Sequence, residues 1–354
     1  MKKRSLAVVL IMVVVLSSFL AACGNKSSKS DDAKKDDKFT VAMVTDQGGV
    51  DDRSFNQSAW DGLQKFGKDN GLEKGKSGYD YFQSANEADY KTNLNSAIRS
   101  NFDLVFGVGF QLTKAVTETA KQQKDAHFAL IDDVVEGVDN IASIRFADNE
   151  GAFLMGVIAG LTTKTNHVGF IGGMEGEVVG RFEAGFKAGV KEVNPKAKID
   201  VKYVGSFVQA DKGQQIAATM YSNDADIILS AAGASGNGAF TEARNLKKED
   251  SSREIWFMGV DRDQADQGEV KVDGKTFNVA LASQIKRVDI AVEETSKLAK
   301  DGKFPGGKTI VYGLDKDAVG IADSTDNIDK KVLDKVKEYK EKIISGDVKV
   351  PEKP

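Results

Sequence analysis

Four short apolar runs in this sequence end in polar residues or glycine: Thr45-Asp46, Ile131-Asp132-Asp133, Ala231-Ala232-Gly233 and Val260-Asp261. If those runs are parallel strands, their carboxyl ends form the edge at which α/β proteins seat ligands. Asp132 can accept N–H protons from the edge of a heterocycle, and Asp133 can cap the loop that follows; the doublet permits either choice. Asp261 and Lys286 suit a polyol. A carboxylate accepts two neighbouring hydroxyl protons, while an ammonium donates to hydroxyl oxygens or holds the carboxylate in place. A structural salt bridge between the two is the plainer use of the pair.

The segment after Asp46 reads Gln47-Gly48-Gly49-Val50-Asp51-Asp52-Arg53-Ser54-Phe55-Asn56-Gln57 and leads into a helix. Its glycines allow a tight turn, and Asp51, Asp52 or Ser54 can cap the helix. Phe55, an aromatic in a polar loop, can stack on a flat ligand while Asn56 reads its edge; stapling the first helical turn is the structural alternative. Phe207, after Gly205-Ser206 at another strand end, can cover the opposite ring face or simply pack between lobes. The two aromatics together would sandwich a planar group.

Catalytic signatures are weak beside these. Cys23 lies at a processing site, remote from the body, and His127 and His167 flank expected strands without metal-ligand spacing. There is no HExxH, no Walker phosphate loop and no complete dinucleotide fingerprint. Gly172-Gly173 and Gly176 can form an anion nest, but Glu175 and Glu177 would repel a phosphate. A nucleoside hydrolase would need a calcium-binding acidic cluster or an acid–base pair, and neither stands out. Binding without turnover is therefore expected, with no cofactor and no metal.

These groups need a frame that brings strand ends together. Residues 39–44, 79–82, 104–108, 128–131 and 141–146 read as strands, alternating with helices that carry Trp60, Leu63 and Phe66, then Tyr90, Leu94 and Ile98, then residues 113–123. Ser84 and Glu87 have the spacing of a capping box. The rhythm restarts at a Gly- and Ala-rich helix over 149–161, then strand 168–171 and a helix striped by Val179, Phe182, Phe186 and Val190. Strand 201–204, a helix over 214–221, strands 226–229, 255–260 and 278–282, and a helix over 288–299 follow. Two such sets imply two parallel-sheet lobes facing each other across a cleft. The last helix is capped by Asp326, lined by Ile328, Val332, Val336, Tyr339 and Ile343, and stopped at Gly346, leaving 347–354 as a tail.

The amino-terminal end sets the compartment. Lys2, Lys3 and Arg4 precede an apolar run over 5–20, then Leu20-Ala21-Ala22-Cys23, the pattern of an export signal. Cysteine directly after Ala22 resembles a bacterial lipobox, so acylation at Cys23 is expected, with 24–38 a hydrated tether. The chain would then sit at the cell membrane, lipid-anchored and facing outward, as in a Gram-positive envelope. No later apolar run is long enough to span a bilayer. Apolar types make up 41% of the 354 residues and charged types 29%, which excludes a disordered or multi-span chain. A formal charge of −4 argues against duplex nucleic acid as a partner, and a single cysteine excludes an intrachain disulfide.

Several stretches resemble one family: TDQGGVDDRSFNQSAWDG at 45–62, IDD at 131–133, VGSF at 204–207, SAAGASGNG at 230–238, GVDRDQ at 259–264 and SQIKRVD at 283–289. They resemble the basic membrane protein lipoproteins, which include the purine nucleoside receptor A type substrate-binding proteins of ABC transporters. The resemblance covers residue 39 to the final helix and implies a type I periplasmic-binding-protein fold, with two Rossmann-like lobes joined by three crossings. It implies Asp46, Asn56 and Asp132 at a base edge, Phe55 and Phe207 on the base faces, and Gly233, Asp261 and Lys286 near ribose. It further implies delivery of nucleosides, purine with pyrimidine left open, to an ABC permease driven by a separate ATPase, and a monomer is expected. Crossings are expected near 145–146, 259–261 and 306–309, assigning 39–145 with 262–306 to lobe one and 146–261 with 307–346 to lobe two. The competing functions are a sugar or signalling-polyol receptor, a surface adhesin and a nucleoside hydrolase.

Overall fold

The computed structural model describes residues 38–354, so the expected export segment, the expected acylation site Cys23 and nearly all of the expected tether lie outside the described residues. The first stretch runs β1 (Val41–Val44), α1 (Phe55–Asp69), β2 (Tyr79–Phe82), α2 (Glu87–Arg99), β3 (Leu104–Val108), α3 (Thr113–Gln122), β4 (His127–Ile131) and β5 (Ile141–Phe146). The second runs α4 (Asp148–Thr162), β6 (His167–Gly172), α5 (Glu177–Val193), β7 (Lys198–Tyr203), α6 (Ala210–Ser222), β8 (Ile227–Ala231), α7 (Ala234–Glu249) and β9 (Trp256–Asp261). A hairpin of β10 (Glu269–Val272) and β11 (Lys275–Asn278) leads to β12 (Ala280–Lys286). The chain then continues through α8 (Val288–Lys300), β13 (Thr309–Tyr312), β14 (Val319–Ile321) and α9 (Lys330–Ser345).

Two six-stranded sheets result, ordered β13-β5-β4-β3-β1-β2 and β14-β12-β9-β8-β6-β7. Every pairing in the first is parallel, as is every pairing in the second except β12 with β14. The central strands β1, β3 and β8 are buried at every residue, because helices cover both faces and leave no wet side to alternate toward. The edge strands β2 and β7 contain no fully buried residue.

Glycine explains how α4 and α5 lie so close. A Cβ on Gly156 would sit 2.3 Å from the Phe186 carbonyl oxygen, and one on Gly189 would sit 2.0 Å from that of Phe153. Only glycine allows the two backbones that approach. One apolar cluster runs from Val41 and Phe106 through Phe153 and Phe186 to Leu229 and Met258, and a smaller one lies in each lobe, around Phe128 and around Phe240.

The lobe boundaries differ from expectation at two of three crossings. The chain leaves the first sheet after β5, which ends at Phe146. It returns not at 259–261 but after Lys286, because β12 pairs in parallel with β9 inside the second sheet. It leaves again between β13 and β14, because β13 pairs with β5 and so extends the first sheet to residue 312. Residues 262–286 therefore belong to lobe two and 309–312 to lobe one. Strand partners lie far apart in sequence, and no local pattern records them.

Local readings also shift. The second helix is capped by Asn86 with Asp89 in a reciprocal box, not by Ser84 and Glu87. The last helix is capped by Asp329 rather than Asp326, and Gly346 closes it with φ +84°. Helix α7 is absent from the sequence reading, since its glycine-rich start and polar end leave little periodicity. Residues 347–354 are no loose tail: Val348 and Val350 pack on the core, the Val350 carbonyl accepts a bond from Asn149 Nδ2 at 3.0 Å, and Glu352 pairs with Arg145.

Candidate functional site

A cavity lies between the carboxyl ends of the two sheets, where α/β proteins seat their ligands. Asp46, Phe55, Asn56 and Asp132 line it from lobe one; Phe207, Gly233, Asp261 and Lys286 line it from lobe two. All eight sequence-selected residues thus converge on one space.

The lobe-one wall is organised by Asp52. Its carboxylate accepts from the backbone N–H of Ser54 at 2.8 Å, Asn56 at 2.9 Å and Gln57 at 3.1 Å, which caps α1 and fixes the loop. The expected capping role belongs to Asp52, while Asp51 is exposed. The Asn56 amide donates to Asp46 Oδ1 at 2.7 Å and Asp52 Oδ2 at 3.0 Å, leaving its Oδ1 buried and unpartnered. Asp132 follows β4 with φ +75°, and its Oδ1 is likewise buried without a partner. Its neighbour Asp133 instead accepts the Val134 N–H at 2.8 Å, so it is Asp132 that faces the cavity and Asp133 that holds the loop.

The lobe-two wall rests on backbone turns at strand ends. Phe207 packs onto Gly173, where a Cβ would meet its ring at 2.2 Å. Gly173, the first residue after β6, therefore seats the Phe207 ring. Phe110 meets Phe207 edge-on from the opposite lobe, with centroids 6.1 Å apart. Asp261 ends β9 with φ +71°, a strained left-handed conformation that Asp tolerates better than most residues.

Lys286 occupies the junction between the lobes and is almost wholly buried. Its Nζ lies 2.7 Å from Asp132 Oδ2 and 3.1 Å from Asp148 Oδ1. The rings of Phe55 and Phe146 lie 5.1 Å away and that of Phe182 5.6 Å, within cation–π range. The plain salt bridge between Lys286 and Asp261 does not form. Asp261 accepts a hydrogen bond from the Ser54 hydroxyl across the cleft instead.

Further bonds close the rim. Gln264 Nε2 donates to the Arg53 carbonyl at 3.1 Å, Asn237 Nδ2 reaches the Asp52 carbonyl at 3.4 Å, and Arg262 pairs with Asp61. The lobes are therefore shut around the cavity.

Charge balance inside is acidic. Burial raises the Asp46 carboxyl to about 7, against the lowering effect of bonds from Asn56 and Gly48. Burial likewise raises Asp261 to about 7, against Lys286 and Ser54. Asp132 is raised by burial, with Lys286 the main opposing influence. Burial disfavours the Lys286 ammonium, but Asp132, Asp148 and Asp261 outweigh it and push its pKa up. The site offers one permanent cation, neighbouring carboxyls poised between acceptor and donor, and aromatic walls. Among the described residues no group of three or more His, Cys, Asp and Glu side chains could hold a metal ion.

Sequence reasoning missed Asp148, Arg181, Phe110 and Phe182. Asp148 stands two residues beyond β5, so the strand-end rule that found Asp132 and Asp261 could have found it. Arg181 sits on the buried side of α5 between Val178 and Phe182, and a lone charge in an apolar stripe was its only signal. Phe110 and Phe182 carried no signal beyond ordinary core spacing.

Comparison with known proteins agrees with this architecture. Residues 39–354 match the model of the Bmp family, described as ABC transporter substrate-binding protein PnrA-like. The chain is 60% identical to a Listeria innocua protein named CD4+ T-cell-stimulating antigen, covering all of both chains. It is 43% identical to the ABC transporter nucleoside-binding protein BmpA of Lactococcus lactis subsp. cremoris, again over all of both. A solute-binding protein of an Aeropyrum pernix ABC transporter system has the same fold, with a TM-score of 0.76 at 24% identity, covering 88% of this chain and 94% of that one. The chain belongs to the PnrA-like substrate-binding proteins of ABC transporters, a family that works with a permease and an ATPase and binds its substrate without transforming it.

Proposed function

We propose that this chain captures nucleosides outside the cell and delivers them to an ABC permease, held at the membrane by lipid on Cys23. The observation that carries the reading is the convergence of Phe55, Phe207, Asn56, Asp46 and Asp132 with Asp261 and Lys286 on one cavity. The aromatic rings suit the two faces of a base, the amide and carboxyls suit its edge, and Asp261 with Lys286 suits ribose hydroxyls. The L. lactis relative named as nucleoside-binding supports the same ligand class. An open receptor would admit the nucleoside, and closure would expel water and strengthen each polar contact. The closed surface would then be what the permease recognises.

A thermal-shift panel on residues 39–354, a compact unit, tests this. The protein is stripped of ligand by partial unfolding and refolding, then mixed with guanosine, inosine, adenosine, cytidine, uridine, free bases or ribose. A ligand that binds only the folded state raises its stability by mass action. Whole nucleosides are expected to raise the melting temperature and ribose is not. No shift from any nucleoside refutes the reading, and a shift from ribose alone replaces it with a sugar receptor.

A further inference from the structure

Asp148 is wholly buried and does not line the cavity, yet its carboxylate lies between two buried cations. Its Oδ1 is 3.1 Å from Lys286 Nζ, and its Oδ2 accepts from Arg181 Nη2 at 3.1 Å and Nε at 3.3 Å. Its backbone carbonyl accepts a bond from Gln284 Nε2 at 2.9 Å, two residues before Lys286 on β12. Asp132, 2.7 Å from the ammonium, completes the group, so two buried cations and two buried carboxylates balance one another. Breaking such a buried group by removing one partner is far costlier than its net contribution suggests.

We propose that Asp148 is a positioning residue for ligand capture: it holds the Lys286 ammonium on the cavity wall, with Arg181 anchoring Asp148 in turn. An ammonium has three protons. Asp132 takes one, Asp148 draws the group from a second direction, and the remaining direction is left for a ligand oxygen. Without Asp148, Asp132 is the one close anionic partner of Lys286. The ammonium then turns toward it, and Asp132 is withdrawn from the ligand as well. Because Asp148 stands at the first crossing and Lys286 at the second, the pair ties the site to the segments about which the lobes turn.

The inference rests on the proposal that Lys286 touches the ligand, so the experiment separates the two. Calorimetric titration with the tightest nucleoside of the panel compares the wild type with Asp148→Asn, Asp148→Glu, Lys286→Met and the double variant Asp148→Asn/Lys286→Met, each shown to be folded. Asp148→Asn is expected to weaken binding about tenfold or more, the scale of a hydrogen bond to a charged group. Asp148→Glu should recover most of that loss. In the Lys286→Met background, Asp148→Asn should cost nothing further, since it acts through the ammonium. Wild-type affinity in Asp148→Asn, or losses that multiply in the double variant, overturns the proposal. Should Asp148→Asn not fold, Arg181→Gln is read in the same cycle by the same criteria. If the wild type binds no nucleoside, the functional reading has failed, and crystal structures of the wild type and Asp148→Asn decide this one. An ammonium unmoved between Asp132 and the Phe55 ring overturns it, and a displaced ammonium supports it.

Discussion

Replacing Asp261 with Asn separates binding from stability, because the carboxylate serves the first and burdens the second. Asn tolerates the φ of +71° at this position, so the backbone need not shift as it would with Ala. The amide can still accept the Ser54 hydroxyl proton, but it cannot bring a full negative charge to two ligand hydroxyls. Losing a charged acceptor buried against polar partners costs about 2–5 kcal/mol, and the retained amide places the expectation near the lower end. Affinity at pH 8 should fall roughly 30-fold or more. Stability should move the other way. Burial raises Asp261 from 3.8 to about 7, so between those values the folded chain holds a proton that the unfolded chain has released. Ligand-free stability attributable to this group is therefore full below pH 4 and lost as pH rises through 7. That shift corresponds to about 4 kcal/mol of pH-dependent stability. Asp261→Asn cannot ionise, so its stability at pH 8 should exceed that of the wild type, and its curve between pH 5 and 8 should be flatter. Calorimetric titration and urea unfolding at pH 5, 6, 7 and 8 read both quantities. Nucleoside affinity within threefold of wild type in the folded variant would refute the ligand role. An unchanged pH profile would refute the burial account.

Gly173→Ala places a methyl 2.2 Å from the Phe207 ring, which must swing away. Binding should weaken about tenfold, the scale of a lost base–aromatic stack, with circular dichroism and unfolding midpoint little changed. Asp52→Ala removes the acceptor for three backbone N–H groups and one Asn56 proton. The fold should lose about 1–2 kcal/mol in urea unfolding, and hydrogen exchange at Ser54, Asn56 and Gln57 should accelerate. Ending the chain after Gly346 removes the Val350 and Glu352 contacts and uncovers the part of the core on which Val348 and Val350 pack. Stability should fall by about 2 kcal/mol while the chain remains folded, measured by chemical unfolding.

Much of the site was legible because its chemistry sits where local rules point. Asp46, Asp132, Gly233 and Asp261 each stand at or just beyond the end of a short buried strand, and Phe55, Asn56 and Phe207 stand out as side chains unusual for their places in the sequence. A run such as VAMV at β1, apolar at every position, signals a strand covered on both faces without reference to anything distant. The expectation of an export signal and of acylation at Cys23 is equally local, since it rests on residue order alone.

The lobes themselves could not be divided this way. Whether residues 262–286 join the first sheet or the second depends on β12 pairing with β9, and that choice is made by backbone partners, not by the composition of either strand. Residues 347–354 look like a polar tail until Arg145 and Asn149, two hundred positions earlier, supply their partners. Asp148 and Arg181 are ordinary helix residues in sequence. They become a pair only because glycines let α4 and α5 approach closely enough to share a buried carboxylate. Sequence therefore determined the α/β class and the strand-end groups that line the cavity. Tertiary structure decided the lobe each strand joins and how Lys286 is held, because both depend on distances between residues that the chain order keeps apart.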